Sequence, residues 1–180
     1  MKDNTPDRPG DRPRLIPLRG GERAVLRVLL DEVVRAAANR VGIGDVTVGI
    51  DVPATVTIEA DGRVLARVLT PLVARALEGA RREAGPCRPE VLLTGVVCHD
   101  GIEIEVASSG ASVDPCAAAL LGRRGATRPE GREGTGSWAC ELIREAALLG
   151  GTLSAADCPE GGAAVTLRLP FRQASRRRAA

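Results

Sequence analysis

The chain has 180 residues, 44% of them apolar, and a formal net charge of +2. That length supports one domain with a real core, and the composition excludes a disordered polyelectrolyte. Acidic and basic residues are interspersed, which excludes a large field of one sign.

Trp138 and Phe171 are the only aromatic residues. The core is therefore built from Leu, Val, Ile and Ala. The stacking platforms used on single-stranded nucleic acid are missing, so nucleic acid is not expected as a partner. Lys2 is the sole lysine among 25 basic residues, a bias that reflects coding as much as chemistry. The five cysteines, Cys87, Cys98, Cys116, Cys140 and Cys158, lie at least eleven residues apart. That spacing gives no CxxC pair for zinc or redox work, and His99, the one histidine, falls in an expected turn. The cysteines read as small buried hydrophobes in a reducing compartment. No apolar run of 18 residues and no signal-peptide core is present, so membrane insertion is not expected and a cytoplasmic location is.

In chain order, residues 1–14 are charged and Pro-rich and predict a disordered leader. LIPL (15–18) predicts a short edge strand. Residues 21–40 predict a helix with Leu26, Leu29, Leu30, Val33, Val34 and Ala37 on one face. Two alternating stretches, 46–52 and 54–60, predict strands either side of Pro53. Asp61 is placed to cap a second helix that runs to Arg82. Strands follow at 91–98 and 102–108, joined by His99-Asp100-Gly101 as a hairpin turn. A short helical piece, DPCAAALLG, precedes a Gly- and Arg-rich loop over 123–136. A third main helix covers 137–149 and stops at Gly150-Gly151. Strands at 152–157 and 163–170 close the domain around CPEGG, and residues 171–180 form a basic tail. No internal repeat is visible. Hairpins outnumber crossovers, which predicts an α/β two-layer sandwich: a mixed, mostly antiparallel sheet with three main helices on one face.

Four stretches in this order resemble one family. DGRVLARVLTPLVARALEGA is similar to the Asn-bearing helix of histidine kinase ATP-binding domains, and IEIEVASSGASV to the strand ending in D-x-G-x-G. GTGSWACELIREAALLGG is similar to the G-x-G-L-G-L helix start, and GTLSAADCPEGGAAVTLRLP to the closing hairpin that ends in Leu-Pro. The resemblance spans 15–170 and implies the Bergerat-type fold of the GHKL superfamily, which also holds gyrase and MutL.

The resemblance also implies where a nucleotide would sit. The family's Mg²⁺-binding Asn falls at Arg75 and its earlier Asn at Pro71. A guanidinium has no acceptor and shares the sign of the metal, so Arg75 is no Mg²⁺ ligand. A helix-interior proline removes one backbone bond and costs about 3 kcal/mol unless it is accommodated. The adenine-binding Asp falls at Ser108. Losing its charge-assisted bond removes about 1.5–3 kcal/mol, or roughly tenfold to hundredfold in affinity. Gly110 is retained, and the glycine two residues on is Ser112. Gly134 and Gly136 are retained, and the next glycine is Trp138, whose indole occupies space the phosphates need. The loop between lacks the family's phenylalanine, and no His precedes the first helix to accept phosphate.

The resemblance thus implies a degenerate nucleotide site at Arg75, Ser108, Gly110, Ser112, Gly134, Gly136 and Trp138, with no catalytic residue and no metal ligand. It points to a non-catalytic regulatory module of two-component-type signalling that binds a histidine kinase, a response regulator or a similar protein. No cofactor is expected; ATP stays open as a ligand, and Mg²⁺ is not expected. The old nucleotide face, with Arg75, Trp138 and the loop arginines Arg123, Arg124, Arg128 and Arg132, is the surface to bind through. Trp138 can equally serve as a filler of the vacated pocket. Two alternatives remain: a stand-alone protein kinase similar to anti-sigma-factor kinases, and a Mg²⁺-independent nucleotide or anion sensor.

Overall fold

The computed structural model describes residues 14–17, 23–59, 61–82, 88–110, 112–113, 115–121, 137–158 and 161–171. The leader, the loop over 123–136 with its arginines and with Gly134 and Gly136, and nearly all of the tail lie outside them.

Five strands form the main sheet: β3 (Thr47–Asp51), β5 (Glu90–Val97), β6 (Gly101–Ser108), β7 (Thr152–Asp157) and β8 (Ala163–Pro170), in the order β3-β5-β6-β8-β7. β3 runs parallel to β5, and the remaining pairs are antiparallel. Strict alternation decides the faces. Val91, Leu93, Ile102, Ile104, Val106, Leu153, Leu167 and Leu169 point into the core, while Leu92, Val96 and Arg168 point out. One inward row runs Leu153, Leu167, Ile104, Gly95 across four strands. Gly95 leaves the gap that row needs, because a Cβ there would meet Val52 Cγ2 at 2.9 Å and Leu26 Cδ2 at 3.0 Å.

The helices cover that inward face. α1 (Leu26–Val41) buries Leu26, Leu29, Leu30, Val33 and Ala37, and packs on α2 (Gly62–Arg82). α2 begins as Asp61 Oδ1 accepts bonds from the N–H groups of Arg63 (2.9 Å) and Val64 (3.3 Å), an N-cap of ordinary kind. Its face of Leu65, Val68, Leu69, Leu72, Val73 and Leu77 is buried on β5, β6 and α1. α3 (Pro115–Leu121) and α4 (Ser137–Leu148) lie over β7. α4 ends as Gly150 N–H donates to Ala147 O and Gly151 N–H to Ala146 O, both at 2.9 Å, with Gly150 at φ 72°. That pair of bonds is a Schellman motif and satisfies two terminal carbonyls. All buried side chains among the described residues are apolar.

Three expectations need correction. Residues 23–25 are not the first turn of α1 but a strand, β2 (Arg23–Val25), and α1 starts at Leu26 with no side-chain cap on Val25. The same apolar spacing serves either state, and pairing of β2 with β4 (Val56–Glu59) decides it. The stretches around Pro53 are strands, but they do not share a sheet. β4 joins β1 (Arg14–Pro17) and β2 in a separate three-stranded sheet of order β1-β4-β2, while β3 joins the main sheet. The cysteines also differ: Cys98, Cys140 and Cys158 are half-buried thiols rather than interior ones, because they sit at a strand end, on a helix flank and in a hairpin turn.

α2 passes through Pro71 unbroken. The carbonyl of Arg67 loses its N–H partner there, on the stripe that carries the exposed Arg67 and Arg75. Pro71→Ala restores the bond, and after the lost stiffness of the unfolded chain it stabilises the protein by about 2 kcal/mol. Chemical denaturation at 25 °C reads this, and an unchanged or lower midpoint would show that the ring's packing outweighs the missing bond. Gly95→Ala overpacks the row described above and costs about 1–3 kcal/mol. A thermal melt within a degree of the parent protein would contradict that.

Candidate functional site

α2, the end of β6, the start of β8 and the first turn of α4 surround a cavity of about 240 Å³. Each wall has its own reason to be there. Ser108 closes β6 opposite Ala163, and its hydroxyl lies 3.5 Å from Ala163 O, at the limit of a hydrogen bond. Gly162, at φ 94°, lets β8 approach so closely that a Cβ there would collide with the Ser108 carbonyl. The next residue, Ser109, ties this corner to β5. Glu90 N–H donates to Ser109 Oγ at 2.8 Å, and Ser109 N–H donates to Glu90 O at 2.9 Å. Gly110 follows at φ 104°, a conformation that favours glycine. Ser112 then returns to the cavity rim, and Val113 N–H donates to Asp157 Oδ1 at 2.8 Å, fixing the strand-following loop to β7.

The opposite wall is helical. The Arg75 guanidinium carbon lies 4.3 Å from the centroid of the Trp138 ring. That is inside cation–π range and is worth about 0.5–1 kcal/mol at an exposed site. Arg75 is exposed and Trp138 half-buried, so the indole partly fills the pocket and partly faces its mouth. A second contact joins the same two helices: Arg67 Nη2 lies 3.1 Å from Glu145 Oε2. Oε2 is shielded from solvent and makes no proper hydrogen bond among the described residues, so the contact is an ion pair with poor angular geometry. With Arg67 mostly in solvent, it is worth at most about 1 kcal/mol. Arg67 precedes Arg75 by eight residues while Glu145 follows Trp138 by seven. The helices are therefore antiparallel, clasped at two points about 10–12 Å apart along their axes.

Of the residues singled out from sequence, Arg75, Ser108, Ser112 and Trp138 line this one cavity. Gly110 shapes the adjoining turn without lining it, and Gly134 and Gly136 lie outside the described residues. Glu78 and Arg82 complete the charged rim, and Leu72, Ala76, Val106 and Val165 form an apolar floor. Asp157 and Glu145 were not legible in the sequence. Both act through partners distant in the chain, and no local pattern marks them. His99 is exposed in its turn, as expected.

The fold has close matches among solved structures. The catalytic domain of the histidine kinase ThkA aligns with 17% identity over 83% of this chain and 95% of that one, with a TM-score of 0.62. The ATP-binding domain of PrrB from Mycobacterium tuberculosis aligns with 24% identity over 84% and 98%, also at 0.62. ThkA solved in complex with the response regulator TrrA aligns with 17% identity over 83% of this chain and 41% of that one, at 0.59. The chain has the histidine kinase ATPase fold. No family model and no curated protein matches it by sequence.

Domains of this fold are expected to hold Mg²⁺-ATP, and the residues present fit it poorly. Arg75 offers donors only and cannot enter an octahedral oxygen shell. No group of three His, Cys, Asp or Glu residues that could hold a metal occurs among the described residues. No helix among the described residues is long and apolar enough to cross a membrane.

Trp138 is the sole tryptophan and the chain has no tyrosine, so its emission reports this site alone. Arg75→Ala removes the stack. It is expected to raise acrylamide quenching of Trp138 while lowering stability by only about 0.5–1 kcal/mol. Unchanged quenching would mean that the indole is held by its apolar neighbours without the guanidinium.

Proposed function

We propose that this chain is a non-catalytic signalling module of histidine kinase ATPase fold, acting by protein binding. The observation that carries the reading is the stack of Arg75 on Trp138. A donor-only cation and a bulky ring stand together where resemblance puts the Mg²⁺ ligand and a phosphate-loop glycine. The guanidinium then supplies the positive charge that a metal would bring, and the indole takes up part of the space.

Several features agree with this. Ser108 replaces a carboxylate at the base-binding position and spends its hydroxyl on a long contact to Ala163 O. The core face of α2 is complete, and none of its buried residues is among the altered positions at 71 and 75. ThkA has been solved with a response regulator, which makes a regulator or a kinase of a two-component system the natural class of partner, in the cytoplasm. A second reading has one observation in its favour. Arg75 and Arg82 line the same cavity as Ser108 and Ser112, a set able to hold a nucleotide or another anion without metal.

Calorimetric titration with ATP, with and without Mg²⁺, separates the readings. The expected result is no heat and no thermal shift at millimolar nucleotide in either case. Tight Mg²⁺-dependent binding would overturn the proposal. Metal-independent binding lost in Arg75→Ala would establish the second reading in its place.

A further inference from the structure

The cavity has a floor and a rim of different chemistry. Leu72, Ala76, Val106 and Val165 make the floor, and Arg75 and Arg82 stand on the rim. The two arginines leave the same side of α2 seven residues apart, about 10 Å along the axis. Arg82 is 77% exposed, and its carboxylate neighbour, Glu78, is 3.6 Å away on the same helix, a loose i,i+4 pair. Arg75 lines the cavity and is stacked on an uncharged ring, a contact made through the face of the guanidinium that does not consume its N–H donors. Among the described residues, two guanidinia thus face one carboxylate around an apolar hole. About 240 Å³ accommodates one bulky side chain. Arginine and tryptophan beside a desolvated pocket form the usual anchor point of a protein interface, with the partner's own anchor seated in the pocket.

Resting on the non-catalytic reading above, we propose that this cavity is a docking pocket for an acidic protein segment. One bulky apolar side chain of the partner enters the hole, and flanking Asp or Glu carboxylates pair with Arg75 and Arg82. Arginine suits this role because its planar fork binds a carboxylate through two parallel bonds. A protein segment fits the site better than an anion alone, since a bare anion would leave the apolar floor uncovered.

The test pans the immobilised full chain against a random peptide library, then titrates fluorescein-labelled versions of the recovered peptides. The expected peptides carry one Leu, Ile, Met or Phe flanked by Asp or Glu, and their binding shifts the emission of Trp138. Replacing the apolar anchor with Ala weakens binding about tenfold or more, the scale of one buried contact or charge-assisted bond. Arg75→Glu does the same. Arg82→Glu, at a solvent-exposed position, gives that loss without disturbing Trp138 and guards against a folding defect in the first variant. Recovery of basic peptides, binding indifferent to both charge reversals, or no enriched motif overturns the docking pocket. If that failure comes with no binding of Mg²⁺-ATP, the non-catalytic reading stands without the pocket; tight binding of Mg²⁺-ATP removes both.

Discussion

The apolar face of α2, from Leu65 to Leu77, is sandwiched between α1 and strands β5 and β6, and no charged side chain interrupts it. The rest of the domain is arranged around that contact. α1 needs α2 to cover Leu29, Leu30 and Val33. The inward rows of the main sheet need both helices to exclude water. Burial of each large aliphatic side chain contributes about 1.5–3 kcal/mol. With almost no aromatic residues to help, this layer of Leu, Ile and Val carries the stability of the whole domain.

A helix packed on one side is free to vary on the other. Arg67, Pro71 and Arg75 form a stripe that turns away from the sheet, and none belongs to the core. Their substitution therefore leaves the core intact, although Pro71 still removes one backbone bond from the helix. The fold persists even though the residues on this stripe are incompatible with a Mg²⁺ ligand set. The same independence lets this backbone match solved histidine kinase domains at 17–24% identity while the outer face of α2 carries its own side chains.

Much of this architecture was legible in the chain. Alternation placed β6, β7 and β8 to within a residue, and Asp61 and Gly150-Gly151 marked the ends of two helices through capping chemistry that is local by nature. The partition into two sheets was not legible. Alternating residues around Pro53 specify strands but not partners, and β2 carries the same spacing as the helix it precedes. At the site, the odd residue types at 71, 75, 108 and 138 stood out one by one. The resemblance brought 75, 108 and 138 to one site, and they line one cavity, whereas Pro71 does not. The direct stack of Arg75 on Trp138 was not legible, because it depends on α2 and α4 lying antiparallel, which no single helix encodes. Asp157 and Glu145 were missed for the same reason: each matters only through a partner at least 44 residues away.

The two points that clasp α2 to α4 differ in physical character. Arg67 and Glu145 attract through charge alone, with the guanidinium mostly in solvent, and at physiological ionic strength a screening length of about 8 Å already weakens them. Arg75 and Trp138 add apolar contact to the charge–quadrupole attraction, and salt erodes that contact far less. Raising ionic strength therefore loosens the Arg67 end of the pair first and leaves the Trp138 end in place. α4 nevertheless stays seated, because Ala139, Leu142 and Ala146 bury its other face in the core, so salt acts on the exposed seam between the helices and not on the fold.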